Sequence, residues 1–206
     1  MNLTKYEQSG FILETKKGFR LAFDIGNKTP IEKLDDVKSV DAFLVSHIHG
    51  DHFSIPHIKK LSPKNLYLNH ECLEAVGEEN LSTKITGVKT DDSFLIDEIK
   101  VSYFTVDHGP NISAPVENLG FLLEVENQTI YFVGDMFYES GVDVSNLEVG
   151  ILLLPVGTFY TFGPQEAFDF AKKFKKIGKI ICMHYEKTPE TRGQFLELVK
   201  NNFQAE

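Results

Sequence analysis

The chain has 206 residues, with 21 Lys+Arg against 30 Asp+Glu and a formal net charge of −9. Its 42% hydrophobic content and 17 Phe can fill a core, which excludes wholesale disorder. The acidic balance makes a poor binder of phosphate backbones, so no nucleic-acid partner is expected. At roughly 100–200 residues per domain, the length implies a single domain over 1–206. Met1 to Gln8 holds no apolar leader core. The longest apolar runs, such as Val149–Pro155, fall far short of the ~20 residues that span a bilayer. These features, with Cys72 and Cys182 outside any paired framework, predict a cytoplasmic protein with two reduced thiols and no membrane association.

Two strand-like runs open the chain, Gly10–Thr15 and Phe19–Asp24, around a Lys16-Lys17-Gly18 turn. A loop over 25–30 leads to a short apolar strand, Asp41–Ser46, which ends directly in His47. A helix is predicted over Ile55–Leu61, stopped by Ser62-Pro63. A strand at Asn65–Leu68 and a short helix over Glu71–Glu78 follow. The middle predicts hairpins: Ser93–Ile96 with Lys100–Val106, then Phe121–Val125 with Thr129–Val133. Val149–Pro155 reads as a strand buried on both faces. A helix from Pro164 to about Phe174, a strand Lys179–Met183 and a closing helix Glu190–Phe203 complete the pattern. Strands come first and helices return in each half. That order predicts a mixed α/β chain in which two sheets stack with helices outside, four layers in all.

The loop after the Asp41–Ser46 strand reads His47-Ile48-His49-Gly50-Asp51-His52, four ligand-capable side chains in six residues. Imidazole and carboxylate together suit zinc, iron or manganese. On a strand end, His47 and His49 point the same way because side chains alternate with period two. Gly50 lets the backbone turn so that Asp51 and His52 can face a second metal position. Three further apolar strands end near such a residue, at His108, at Asp135 and at His184. Loops held by rigid strand ends are where sites are normally built. Five His and two Asp are enough for two metals.

This constellation resembles the metallo-β-lactamase superfamily over nearly the whole chain. The resemblance implies an αββα sandwich. It assigns His47, His49 and His108 to a first metal and Asp51, His52 and His184 to a second, with Asp135 bridging both. The stretch from Leu153 to Ala167, with Met183-His184-Tyr185, looks like the small "metal-dependent hydrolase" branch, similar to ascorbate-6-phosphate lactonases and more distantly to N-acyl-phosphatidylethanolamine phospholipases. Relatives often carry Gly-His-Ser before the first strand; here Glu7-Gln8-Ser9-Gly10 stands in its place.

The expected cofactors are two divalent ions, zinc first, with manganese or iron as alternatives. A metal-bound hydroxide at such a dinuclear site would attack a small ester, lactone or phosphodiester. Asp51 is the candidate catalytic residue, orienting the water or carrying its proton. Asp24, at the end of the second strand, is the candidate for orienting the imidazoles. Asn111, Thr158, Tyr160, Tyr185 and Lys187 are candidate substrate contacts, with Lys187 able to meet an anionic group. Phe137, Tyr138, Phe159 and Phe162 are candidates for an apolar wall. His57 and His70 read as surface or capping residues. The expected partner is a small-molecule substrate, anionic or not, with a homo-oligomer left open. The alternatives are a nuclease or an iron-dependent redox enzyme of the same fold, and a metal-dependent binding module.

Overall fold

The computed structural model describes residues 1–77 and 79–206, and the chain divides into two compact units, Met1–Lys89 and Thr90–Glu206. Among the described residues, each unit carries one six-stranded sheet and two α-helices. Among the described residues, no helix is long and apolar enough to cross a membrane.

In the first unit the strands are β1 (Asn2–Lys5), β2 (Phe11–Glu14), β3 (Arg20–Phe23), β4 (Ala42–Leu44), β5 (Asn65–Leu68) and β6 (Lys84–Gly87), and they lie side by side in chain order. β1 to β3 form an antiparallel meander; β3 to β6 are parallel. Parallel neighbours need crossovers. A 3-10 turn over Ile31–Leu34, α1 (Ile55–Leu61) and α2 (His70–Val76) supply them. α1 ends where Ser62 enters the left-handed region at φ 46° ahead of Pro63. Ile58, Leu61, Cys72 and Val76 of these helices pack on Ile12, Ala22, Phe43, Val45, Leu66 and Leu68. The alternate strand residues Phe11, Leu13, Leu21, Phe23 and Leu44 are also fully buried, so apolar residues line both faces of the sheet.

The second unit orders its strands β12-β11-β10-β9-β8-β7: β7 (Ser93–Ile96), β8 (Ile99–Thr105), β9 (Leu119–Val125), β10 (Gln128–Phe132), β11 (Glu148–Pro155) and β12 (Lys176–Met183). β7 to β10 are antiparallel, and β10 to β12 parallel. The β9–β10 hairpin turns through Glu126 and Asn127, both at positive φ, as a tight two-residue turn requires. α3 (Pro164–Ala171) and α4 (Pro189–Val199) bury Ala167, Phe170, Phe195 and Val199 against Tyr131, Leu152, Leu154, Ile180 and Cys182. Both cysteines are buried.

The elements depart from the sequence expectation in few places. β1 and β6 were not anticipated, because Asn2-Leu3-Thr4-Lys5 and Lys84-Ile85-Thr86-Gly87 are too polar to show a strand run; pairing to β2 and β5 makes them strands. α2 begins at His70, where the Asn69 side chain accepts a hydrogen bond from Cys72 N at 2.9 Å; its expected end at Glu78 lies outside the described residues. α3 stops at Ala171, its end tightened by Lys173 N to Phe170 O and Phe174 N to Ala171 O. α4 stops at Val199, and the last residues turn back along β12 through Ile180 N to Gln204 O and Cys182 N to Glu206 O.

Candidate metal centre

Strand direction places the ligand-capable residues. In the first unit the carboxyl ends of the parallel strands β3, β4 and β5 lead into Asp24, the Ser46–His52 loop and Asn69. In the second, β8, β10, β11 and β12 run the same way, and their ends lead into His108, Asp135, Gly157 and His184. Carboxyl ends of parallel strands are where open α/β sheets bind ligands.

Asp24 is the hub of the first unit. Its Oδ1 accepts from Ser46 N at 2.8 Å, and its Oδ2 accepts from Ser46 Oγ and pairs with His52 Nδ1 at 2.7 Å. A carboxylate on Nδ1 keeps that proton there, which leaves Nε2 of His52 as a lone-pair donor. Burial pushes the Asp24 carboxyl above the ordinary range, and His52 with Ser46 pulls against that rise. His47 lies between these groups, with Nδ1 2.9 Å from Ser46 Oγ and Nε2 3.0 Å from His49 Nδ1. Asp24, His47 and His52 all offer donor atoms within 4.8 Å of one another.

Backbone contacts fix the loop. A Cβ on Gly26 would sit 2.2 Å from the Asp51 carbonyl carbon, so only glycine permits this approach. Asn27 N donates to Gly50 O at 2.7 Å, and Asn69 Nδ2 to Ser46 O at 3.3 Å. Gln8, buried and at φ 54°, points Nε2 at Asp51 Oδ2 across 3.2 Å.

In the second unit, Asp135 Oδ2 lies 3.0 Å from His184 Nε2 and 3.6 Å from His108 Nε2, and all three side chains are at most 6% exposed. Asn118 Nδ2 donates to Asp135 O at 3.1 Å and holds that backbone. His184 takes φ 57°, and Gly157 packs so closely that a Cβ there would sit 1.8 Å from His184 O.

These donor sets fit a divalent cation. Two ligands about 2.05 Å from a tetrahedral ion stand about 3.3 Å apart. The spacings of 3.0 Å for His47–His49 and of 3.0 and 3.6 Å for the Asp135 pairs bracket that edge. Imidazole with carboxylate is the donor chemistry of zinc, iron and manganese.

The substrate candidates divide. Asn111 and Thr158 line a cleft of the second unit together with Phe137, Tyr138, Phe159 and Phe162. Tyr160 stands beside it, with Lys187 Nζ 5.4 Å from its ring centre. Tyr185 turns its ring to Arg192 instead, 5.7 Å from the guanidinium carbon. Neither Tyr185 nor Lys187 lines the cleft. His57 is buried rather than on the surface, bonded to Ser54 Oγ at 2.7 Å and Thr29 O at 2.8 Å, and so ties α1 to the loop after β3. His70 is exposed, 3.7 Å from Glu74. Ser46, Asn69 and Asn118 carry no sequence signal of their own beyond their place at strand ends.

A family model described as "Beta-lactamase superfamily domain" matches residues 2–184. A UPF0173 metal-dependent hydrolase of Korarchaeum cryptofilum is 28% identical, over 96% of this chain and 89% of its own. A metallo hydrolase from the archaeon Ignicoccus hospitalis superposes with a TM-score of 0.79 at 18% identity, covering 99% of this chain and 93% of its own. The metallo-β-lactamase fold protein YhfI from Bacillus subtilis does so with a TM-score of 0.77 at 16% identity, over 97% and 88%. With two six-stranded sheets and four α-helices among the described residues, and with the family match running over residues 2–184, the chain belongs to the β-lactamase superfamily and has the metallo-β-lactamase fold.

Proposed function

We propose that the protein is a cytoplasmic metal-dependent hydrolase of a small ester, lactone or phosphodiester, with His47, His49, Asp51, His52, His108, Asp135 and His184 as ligands of a dinuclear centre, zinc first, with manganese or iron as alternatives. The observation that carries this reading is the donor spacing, with His47 Nε2 3.0 Å from His49 Nδ1 and Asp135 Oδ2 within 3.6 Å of both His108 and His184. Bound divalent ions would acidify a water toward neutrality and polarise a carbonyl or phosphoryl oxygen.

The chain's own groups supply the rest. Asp24 holds His52 in the tautomer whose Nε2 can act as a ligand. Asp135 presents one oxygen to two imidazoles, which suits a bridging role. Asp51, oriented by Gln8, is the group to take and return the proton of the attacking water. Two divalent cations would locally reverse the sign of a chain carrying −9, so a small anionic substrate fits as well as a neutral one.

The test is a hydrolase panel (a lactone, a carboxylic ester, bis-p-nitrophenyl phosphate) run in Zn²⁺, Mn²⁺ and Fe²⁺, with metal analysis of the same protein. Turnover with about two ions per chain, abolished in folded His49→Ala and Asp135→Ala, supports the reading. One iron with O₂ consumption sinks it, and activity retained in either variant refutes the ligand assignment.

A further inference from the structure

The cleft in the second unit has a volume of about 330 Å³, at the small end of ligand pockets, which run to roughly 300–1,000 Å³. It accommodates one ring with a short tail. Its walls are aromatic: Phe137, Tyr138, Phe159 and Phe162. Phe162 belongs to the core beneath, but Tyr138 and Phe159 are 53% and 60% exposed. Large rings left in water around a concavity mark a binding surface rather than packing.

The rings are held in place. Phe137 meets Tyr138 edge-to-face at 4.8 Å, and Phe159 meets Tyr160 edge-to-face at 4.6 Å. Thr158 and Phe159 both stand at φ 57°, a conformation that a β-branched and a bulky residue adopt only when their surroundings impose it. Thr158 N donates to Phe162 O at 3.0 Å, Phe162 N to Met136 O at 2.7 Å, and Asn111 Nδ2 to Phe159 O. The fold therefore spends backbone strain on presenting a phenyl ring to solvent.

Charge narrows the occupant. Among the described residues, the one charged side chain on the wall is Glu166, and no lysine or arginine lines the cleft. Aromatic faces and a carboxylate both repel an anion. The cleft also adjoins the ligand loops of its own unit. Phe137 follows Asp135 by two residues, and its ring carbons lie 2.5 Å from where a Gly109 Cβ would stand, next to His108.

We propose that this cleft holds an uncharged aryl group of the substrate, next to the scissile bond. The assignment of the group to a substrate rests on the hydrolase reading; the affinity of the cleft for the aryl group does not.

Two measurements separate the two. The chain has no Trp, so Phe159→Trp puts a single indole in the wall as a reporter. Metal-free F159W is titrated with N-methyl-2-phenylacetamide and with its para-carboxylate. The expected result is a saturable fluorescence change for the neutral amide, at least tenfold weaker binding of the carboxylate, and at least tenfold weaker amide binding in Tyr138→Ala made in the same background. Equal binding of both compounds, or no saturable change, overturns the proposal. In the second measurement, kcat/KM for methyl phenylacetate is compared with that for methyl acetate in Mn²⁺. The preference for the phenylacetyl ester should fall at least tenfold in Tyr138→Ala and in Phe159→Gly, where glycine accepts the φ of 57°. Amide binding with no turnover of these esters, of the lactone or of bis-p-nitrophenyl phosphate refutes the hydrolase reading and leaves the cleft's specificity standing. Turnover of both esters with no preference, unchanged in the variants, refutes the cleft and leaves the hydrolase reading standing.

Discussion

Gln8 Nε2 donates to Asp51 Oδ2 across 3.2 Å, from a buried position held at φ 54°. An amide at this point orients the carboxylate without adding a titrating group. Gln8→Ala should lower kcat/KM about 10–100-fold, the usual cost of losing a partner of a metal-site residue. Gln8→Glu should cost more and move the acid limb of the pH–rate profile upward, because a second carboxylate disfavours ionisation of Asp51. A pH profile of Q8E that overlays the wild type would rule out this orienting role.

Asp24 meets three donors at once, Ser46 N, Ser46 Oγ and His52 Nδ1. Asp24→Asn keeps the volume but makes one terminal atom a donor, which then faces another donor or forces the wrong tautomer on His52. Metal affinity should fall about 10–100-fold, read by competition with a chelating dye. Because Asp24 is fully buried, the folded fraction is measured alongside by circular dichroism. Unchanged affinity in folded D24N would show that the carboxylate does not set the His52 tautomer.

Much of this arrangement is legible from pattern alone. An apolar run that stops at a histidine or aspartate gave the end of β12 to the residue, that of β10 to within one and that of β4 to within two, because a strand's hydrophobicity fades near where its backbone leaves the sheet. α1 and β5 were legible to the residue, since Ser62-Pro63 brackets them. What escaped were features with only long-range causes. β6 is a strand because β5 pairs with it, and Asn118 matters because the chain brings it beside Asp135 O, 17 positions on. Gln8 stood out only as a departure from the family's pattern; its contact with Asp51, 43 positions away, belongs to the fold.

Two glycines next to ligand residues should be the least replaceable in the chain. A Cβ at Gly26 would stand 2.2 Å from Asp51 C, and one at Gly157 would stand 1.8 Å from His184 O, both rigid backbone. Gly26→Ala and Gly157→Ala should each cost more than about 3 kcal/mol or prevent soluble folding. Gly193, inside α4 with nothing within 4 Å of its Cβ position, is the contrast. Gly193→Ala should stabilise by about 0.5–1 kcal/mol through helix propensity. Urea denaturation of the three variants checks both signs, and a mild effect at Gly157 would mean that the His184 backbone can move.

Asp41 ties three strand starts together. Its Oδ2 accepts from Arg20 N at 2.9 Å, its Oδ1 meets Lys64 Nζ at 2.6 Å, and its carbonyl accepts from Asn65 N at 3.1 Å. Partial burial works to raise its carboxyl, but the Lys64 ammonium, the Arg20 N–H and the Arg20 charge together hold it below the ordinary range. A carboxylate depressed by folding stabilises the native state above its unfolded pKa, and that contribution disappears as pH falls through the lowered folded value. Asp41→Asn keeps an acceptor for Arg20 N and removes only the charge. It should therefore cost about 1 kcal/mol at pH 7, a fall in Tm of about 2–4 °C. The gap between variant and wild type should close in acid, below the usual aspartate range near 4. Thermal melts from pH 7 down to pH 3 test this directly, and a gap that widens with acid would reverse the sign of the coupling.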